Sequence, residues 1–258
     1  MNGLRADQLL VERGLASSRS QAQRLIASGV QWLAPGGWKP VAKNGDELPA
    51  VAEIELLDAA EARYVSRGGL KLEVALKTSG IDVKGKDCLD VGQSTGGFTD
   101  CLLQHGAAQV VGIDVGQGQL HAKIRADGRA ICIEQVNARN LDAQEWIAGE
   151  GRPENAAAQF DLVVADVSFI SLTLVLPAVA PLAKQGAQLL LLVKPQFELQ
   201  PAQIGKHGLV RDPASYQVVE QRIRDCCAAL GLQVRAWFDS AITGGDGNRE
   251  FFVHAQRQ

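Results

Sequence analysis

Five short apolar runs constrain this chain more than any other feature. They fall at residues 88–91, 110–113, 131–134, 162–165 and 189–193, and stretches with helical periodicity separate them. Strands that alternate with helices in this way form a parallel sheet covered on both faces. Two further strands are expected at 233–238 and 250–254, after a helix over 214–230. The turn-rich residues 243–248 between them predict antiparallel pairing. In that last helix, Val219, Ile223, Leu230 and the adjacent Cys226 and Cys227 recur at helical spacing, so the cysteines read as core.

In open α/β sheets ligands sit beyond the carboxyl ends of the strands. Asp90, Asp114, Asp166 and Lys194 each fall at or beside such an end. The first strand runs into Gly92, Ser94, Thr95, Gly96, Gly97 and Phe98, with glycines spaced G-x-x-x-G-G rather than G-x-G-x-x-G. Glycines there allow tight turns and close approach of a ligand. A carboxylate such as Asp90 beside the loop repels a pyrophosphate. It suits a ligand with an ammonium and a sulfonium, as in S-adenosyl-L-methionine. Asp114 is placed to accept hydrogen bonds from ribose hydroxyls. Asn137, past the third strand, reads equally as an adenine contact or a plain turn residue.

Residues before about 60 read differently. Two short helices are expected, over 6–13 and from Ser18, the second opened by Ser18 and Gln21 as in a capping box. A strand at 30–33, a turn at 35–37 and a strand at 51–57 complete a small module. The 258-residue chain has a net charge of −3, but residues 1–45 hold six basic side chains against Asp7 and Glu12. A locally basic surface binds phosphate even on an acidic chain. Arg5, Arg19, Arg24 and Lys43 are the candidates there, with Arg67 just beyond the module. Lys206 and Arg211 are further phosphate-binding candidates on the long connection over 197–213, which reads as an unstructured lid. His207 on that connection has no evident orienting acid and is a poor candidate general base. The expected boundaries are a first domain at 1–60, a linker at 61–70 and a second domain at 71–258.

Several classes are disfavoured. Five cysteines without a C-x-x-C pair fit neither a disulfide framework nor a zinc ribbon, and no metal site is expected. The first residues lack an apolar signal core, and the longest apolar run, 170–183, is short and broken by prolines. The expectation is a cytoplasmic protein without membrane association. The G-x-x-x-x-G-K-[ST] and G-x-S-x-G motifs are missing, which disfavours ATP hydrolysis and α/β-hydrolase chemistry.

The segments DVGQSTGGFTD, GIDVGQGQL, DLVVADVSFIS, LLVKPQFE, GKHGLVRDP and GDGNREFF, with LLVERGLASSRSQAQRLIASG near the N-terminus, together resemble one family. It is the TlyA, or haemolysin-A-like, group of ribosomal-RNA methyltransferases, which join an S4-type domain to an FtsJ (RrmJ)-type catalytic domain. The stretch QWLAPGGWKP departs from the family's shorter turn. The resemblance implies an α/β, Rossmann-like methyltransferase fold. Its sheet is seven-stranded and mostly parallel with the last strand antiparallel, and a small α+β domain precedes it. The resemblance also implies S-adenosyl-L-methionine as cofactor and ribosomal RNA or a ribosomal subunit as partner. The reaction it implies is methyl transfer to a ribose 2′-hydroxyl, of cytidine where the family has an assigned target. The family's catalytic Lys-Asp-Lys-Glu set falls on Lys71, Asp166, Lys194 and Glu250. Lys194 then serves either as general base or as electrostatic stabiliser of the alkoxide. Two alternatives remain: an RNA- or ribosome-binding protein with a vestigial methyltransferase fold, and, less favoured, a membrane-lytic protein.

Overall fold

The computed structural model describes residues 3–57, 63–244 and 247–258. The chain divides into two compact units, Met1–Leu70 and Lys71–Gln258. Residues 58–62, which include the first two residues of the expected linker, lie outside the described residues, as do residues 245–246 and the side chain of His207.

The first unit holds β1 (Gly3–Arg5), α1 (Ala6–Glu12), α2 (Arg19–Gly29), β2 (Val30–Ala34), β3 (Gly37–Pro40), β4 (Glu47–Pro49) and β5 (Ile54–Leu56). β1 pairs antiparallel with β4, and β2 lies between β3 and β5, antiparallel to both. The helices bury Leu9, Leu10, Leu25 and Ile26 against Val30, Val41 and Leu48. Ser18 caps α2 by accepting from Gln21 N at 3.2 Å. The reciprocal half differs from a capping box, because Gln21 Oε1 accepts from Ser17 N (2.6 Å) and Gln21 Nε2 donates to Tyr64 O (3.2 Å). Gln21 is buried, and serving Tyr64 draws it one residue further upstream. β3 was not expected. The turn is tight enough, with Gly37 at φ +110°, for Leu33 to pair with Trp38 directly across a hairpin.

The second unit begins within α3 (Arg67–Ser79) and continues through β6 (Asp87–Val91), α4 (Gly97–Gln104), β7 (Gln109–Ile113), α5 (Ala122–Arg125), β8 (Ala130–Ile133), α6 (Ala143–Ala148), β9 (Phe160–Ala165), α7 (Leu172–Val179), β10 (Ala183–Val193), α8 (Pro195–Glu198), α9 (Ser215–Ala229), β11 (Leu232–Asp239) and β12 (Phe251–Arg257). Seven strands form one sheet in the order β11-β12-β10-β9-β6-β7-β8. β12 runs antiparallel to both neighbours, and the other adjacent strands among the described residues pair in parallel. This is the architecture expected from the alternation. Leu89, Val163, Leu190 and Leu191 of the central strands are wholly buried, as a sheet covered on both faces requires. α9 packs Val219, Ile223 and Cys227 inward at a four-residue spacing, while Cys226 is half-buried.

The 197–213 connection is more ordered than a bare loop. It contains the end of α8, 3₁₀ turns at Pro201–Gln203 and Lys206–Gly208, and a bridge between Ile204 and Val210. Buried Asn248 ties it down, accepting from Val210 N (3.2 Å) and donating to Gly208 O (2.9 Å). No helix among the described residues is long and apolar enough to cross a membrane.

Candidate active site

The order of the strands reverses at β6, so the carboxyl ends of β6 and β9 open a crevice there. Gly92 follows β6 at φ +83°. A β-carbon on it would sit 2.7 Å from the Asp166 carbonyl oxygen, so glycine lets the two strand ends close up. Ser94 (φ +48°) and Gly96 (φ +95°) complete a loop of three left-handed residues. A β-carbon on Gly96 would meet Leu120 at 2.9 Å. Both glycines therefore accommodate the protein's own packing.

A cavity of about 360 Å³ lies beyond these ends. Its wall includes Gly92, Ser94, Asp114, Asn137 and Asp166 of the expected cofactor set, together with Ser168 and Phe169. Asp90, Thr95, Gly96, Gly97 and Phe98 are not in that wall. The Thr95 carbonyl accepts from His121 N, Gly96 caps α4, and Gly97 opens it. Phe98 is buried and stacks on Phe252 with ring centroids 6.3 Å apart. Asp114 accepts from Ser94 N (2.7 Å) on one oxygen and Gly116 N (2.6 Å) on the other. Each oxygen keeps a second lone pair for a ligand hydroxyl. Asn137 both faces the cavity and caps a 3₁₀ turn through Arg139 N (3.1 Å).

Asp90 is wholly buried. Thr99 Oγ1 donates to its Oδ2 (2.7 Å), and Gln93 Nε2 donates to Thr99 (2.9 Å). Asp90 Oδ1 has no hydrogen-bond partner among the described residues. Burial pushes the Asp90 carboxyl up to about 7, opposed by the Thr99 hydrogen bond and reinforced by the charges of Asp166 and Asp114. The bare oxygen and the suppressed charge are what a cationic ligand would relieve.

The four residues matched to the Lys-Asp-Lys-Glu set meet as two ion pairs. Asp166 follows β9, and Lys194 follows β10. Lys194 Nζ lies 2.6 Å from Asp166 Oδ1, an ion-pair contact not aligned as a hydrogen bond. It also donates to Ser168 Oγ at 2.7 Å. Lys71 on α3 donates to Glu250 at 2.5 Å, both side chains at least nine-tenths buried. Glu250 immediately precedes Phe251, and Phe251 pairs with Val193 beside Lys194. The register therefore brings both pairs to one end of the sheet.

Sequence reasoning missed the supports around Lys194. Phe169 is 91% exposed, holds φ +63°, and lies against Phe197 with centroids 5.1 Å apart. Buried Glu198 accepts from Ser171 Oγ (2.5 Å) and Leu172 N (2.7 Å) at the start of α7. Burial pushes the Glu198 carboxyl up. These contacts fasten the loop after β9 to the loop after β10. The one available signal was a phenylalanine three residues after each charged strand end, Phe169 after Asp166 and Phe197 after Lys194.

The expected phosphate ligands are dispersed. In the first unit Arg5 and Arg19 share Asp7, Arg24 Nη1 donates to Ser20 O (3.2 Å), Lys43 is exposed, and Arg67 opens α3. In the second, Lys206 and Arg211 are exposed on the tied-down connection.

A family model described as FtsJ-like methyltransferase matches residues 64–257, and one described as S4 domain matches residues 4–29. The 16S/23S rRNA (cytidine-2′-O)-methyltransferase TlyA of Mycobacterium tuberculosis is 40% identical over 260 residues, covering 98% of this chain and 90% of the relative. A solved structure carrying the name hemolysin, from Streptococcus thermophilus, is 38% identical, covers 100% of this chain and 90% of that one, and superposes with a TM-score of 0.73. An S-adenosylmethionine-dependent methyltransferase from Mesorhizobium loti shares the fold alone, at 15% identity and a TM-score of 0.51 over 71% of this chain and 96% of that one. With its strand order, its charged strand ends and these matches, the chain belongs to the FtsJ-like methyltransferase family and carries an S4 domain in its N-terminal part.

Proposed function

We propose that the protein transfers a methyl group from S-adenosyl-L-methionine to the 2′-hydroxyl of a cytidine in ribosomal RNA, in the cytoplasm. One observation carries this reading: Lys194 is ion-paired to Asp166 and bonded to Ser168, two residues in the wall of the cavity at the sheet's carboxyl edge. The relative named as an rRNA cytidine-2′-O-methyltransferase and the S4 match supply the substrate class.

The residues present fit the cofactor. Asp114, in the cavity wall, offers lone pairs for a ribose, and Asp90, buried and outside that wall with one oxygen unpartnered, favours positive charge nearby. S-adenosyl-L-methionine supplies a methyl group already activated on a sulfonium, so aligning the acceptor oxygen accounts for much of the rate. Lys194, held between Asp166 and Ser168, is placed to stabilise negative charge as it develops on the ribose oxygen. Lys71 and Glu250, locked together behind it, fix the local field. Phe169 presents an open aromatic face to the base of the target nucleotide.

The test is calorimetry with S-adenosyl-L-methionine followed by single-turnover methyl transfer to ribosomal RNA. Lys194→Ala should bind cofactor like the wild type and lose transfer by about 10²–10³-fold. Transfer at the wild-type rate would remove Lys194 from the mechanism.

A further inference from the structure

Asp7 lies in the first turn of α1, its side chain fully shielded from solvent. Its backbone N–H is bonded to Asn44 O at 3.1 Å, which fixes the residue in place. Arg5 Nε donates to Asp7 Oδ1 at 3.0 Å and Arg5 Nη2 to Oδ2 at 3.1 Å. Arg19 Nη2, from the start of α2, donates to the same Oδ2 at 2.9 Å. The two Nη2 atoms are thus no farther apart than those two bonds laid end to end. Gln23 Nε2 adds a longer bond to Oδ2, at 3.4 Å. The guanidinium groups are about half exposed, at 46% and 56% of their side chains, while the acid beneath them is covered.

We propose that Asp7 is a positioning residue for RNA, holding Arg5 and Arg19 side by side as a preset clamp for the phosphodiester backbone. This rests on the reading of the protein as an RNA methyltransferase. Each guanidinium carries five N–H donors. Arg5 commits two of them to Asp7 and Arg19 commits one, so both retain donors for phosphate oxygens. Two arginines this close repel, and without the acid they swing apart. With it they keep one geometry, and the entropy of ordering two long side chains is spent before RNA arrives. Two cations on one buried anion leave a net positive charge facing solvent. The acid, being covered, does not present itself to an incoming phosphate.

Binding of ribosomal RNA to the full chain, measured across a range of KCl concentrations, tests the idea through Asp7→Asn. A clamp loses its geometry although the variant gains positive charge. Affinity should then fall about tenfold, and the slope of log K against log salt should shrink by about one. S-adenosyl-L-methionine affinity should stay unchanged. If Asp7 is only a countercharge that blunts the arginines, the same variant binds RNA more tightly with a steeper slope, and the proposal fails. Arg19→Lys decides the matter if Asp7→Asn unfolds. Lysine keeps the charge without the planar fork, so the clamp requires a comparable loss, and wild-type affinity in that variant contradicts it. A wild-type chain with no affinity for ribosomal RNA sinks the functional reading and the clamp together. Wild-type binding with a tighter Asp7→Asn sinks the clamp alone.

Discussion

Replacing Glu250 by alanine leaves Lys71 charged, unpaired and at least nine-tenths buried. Removing one partner of a buried ion pair costs about 3–5 kcal/mol. In a unit of this size each kcal/mol moves the melting temperature by about 2–4 °C, so Glu250→Ala should melt roughly 6–20 °C below the wild type. Replacing both partners with apolar residues of similar size, as in Lys71→Met with Glu250→Leu, removes the stranded charge. That double variant should recover most of the loss, because exchanging a buried pair for packed hydrophobes is often close to neutral. Differential scanning calorimetry of the two single variants and the double variant gives the coupling directly. Methyl transfer measured on the same samples separates roles, since the double variant should be stable yet inactive. A Glu250→Ala variant melting within about 2 °C of the wild type would refute the burial argument. A double variant that regains activity along with stability would show the pair to be scaffold only.

Because burial raises the Asp90 carboxyl to about 7, the stability it contributes is full below the unfolded value of 3.8 and is lost as pH rises through about 7. A cationic cofactor favours the ionised form, so its affinity should rise with pH across that window and release a proton. Asp90→Asn should flatten the profile in calorimetry at several pH values. A methyl group at Gly112 would overlap the Gln93 side chain that orients Thr99. Gly112→Ala should therefore cost about 1–3 kcal/mol of stability in denaturant melts and weaken cofactor binding. Phe169→Ala should leave cofactor affinity intact and weaken productive RNA binding by about 5–150-fold, the value of one base stacked on an aromatic ring. Lys194→Arg keeps a permanent charge. Partial methyl transfer by that variant supports electrostatic stabilisation, and its complete loss with cofactor bound favours a proton-accepting amine.

What the chain reveals before folding is set by periodicity. Runs such as Leu162–Ala165 and Leu189–Val193 are apolar because both faces of their strands are covered, so the sheet and its charged ends could be read directly. Contacts made by side chains far apart in sequence could not. Nothing local says that Asp90 meets Thr99 while its second oxygen stays bare, or that Lys71 reaches across 179 positions to Glu250 without the help of a family resemblance. Phe98 stands in the glycine loop as though it faced the cofactor, yet α4 begins one residue earlier and turns the ring toward Phe252. The length of the 197–213 connection suggested an open loop. Its order comes from Asn248, a buried amide contributed by a distant segment. Gly36 and Gly37 read as punctuation, although a two-residue turn there permits β3.

Mass spectrometry of nucleosides from ribosomal RNA treated with the protein and methyl-labelled S-adenosyl-L-methionine asks most directly whether an ammonium beside Asp166 serves a sugar oxygen. The expected product is cytidine labelled on its ribose, formed by the wild type and nearly absent with Lys194→Ala although cofactor still binds. Label on a base, or an equal yield of ribose label from that variant, would contradict it.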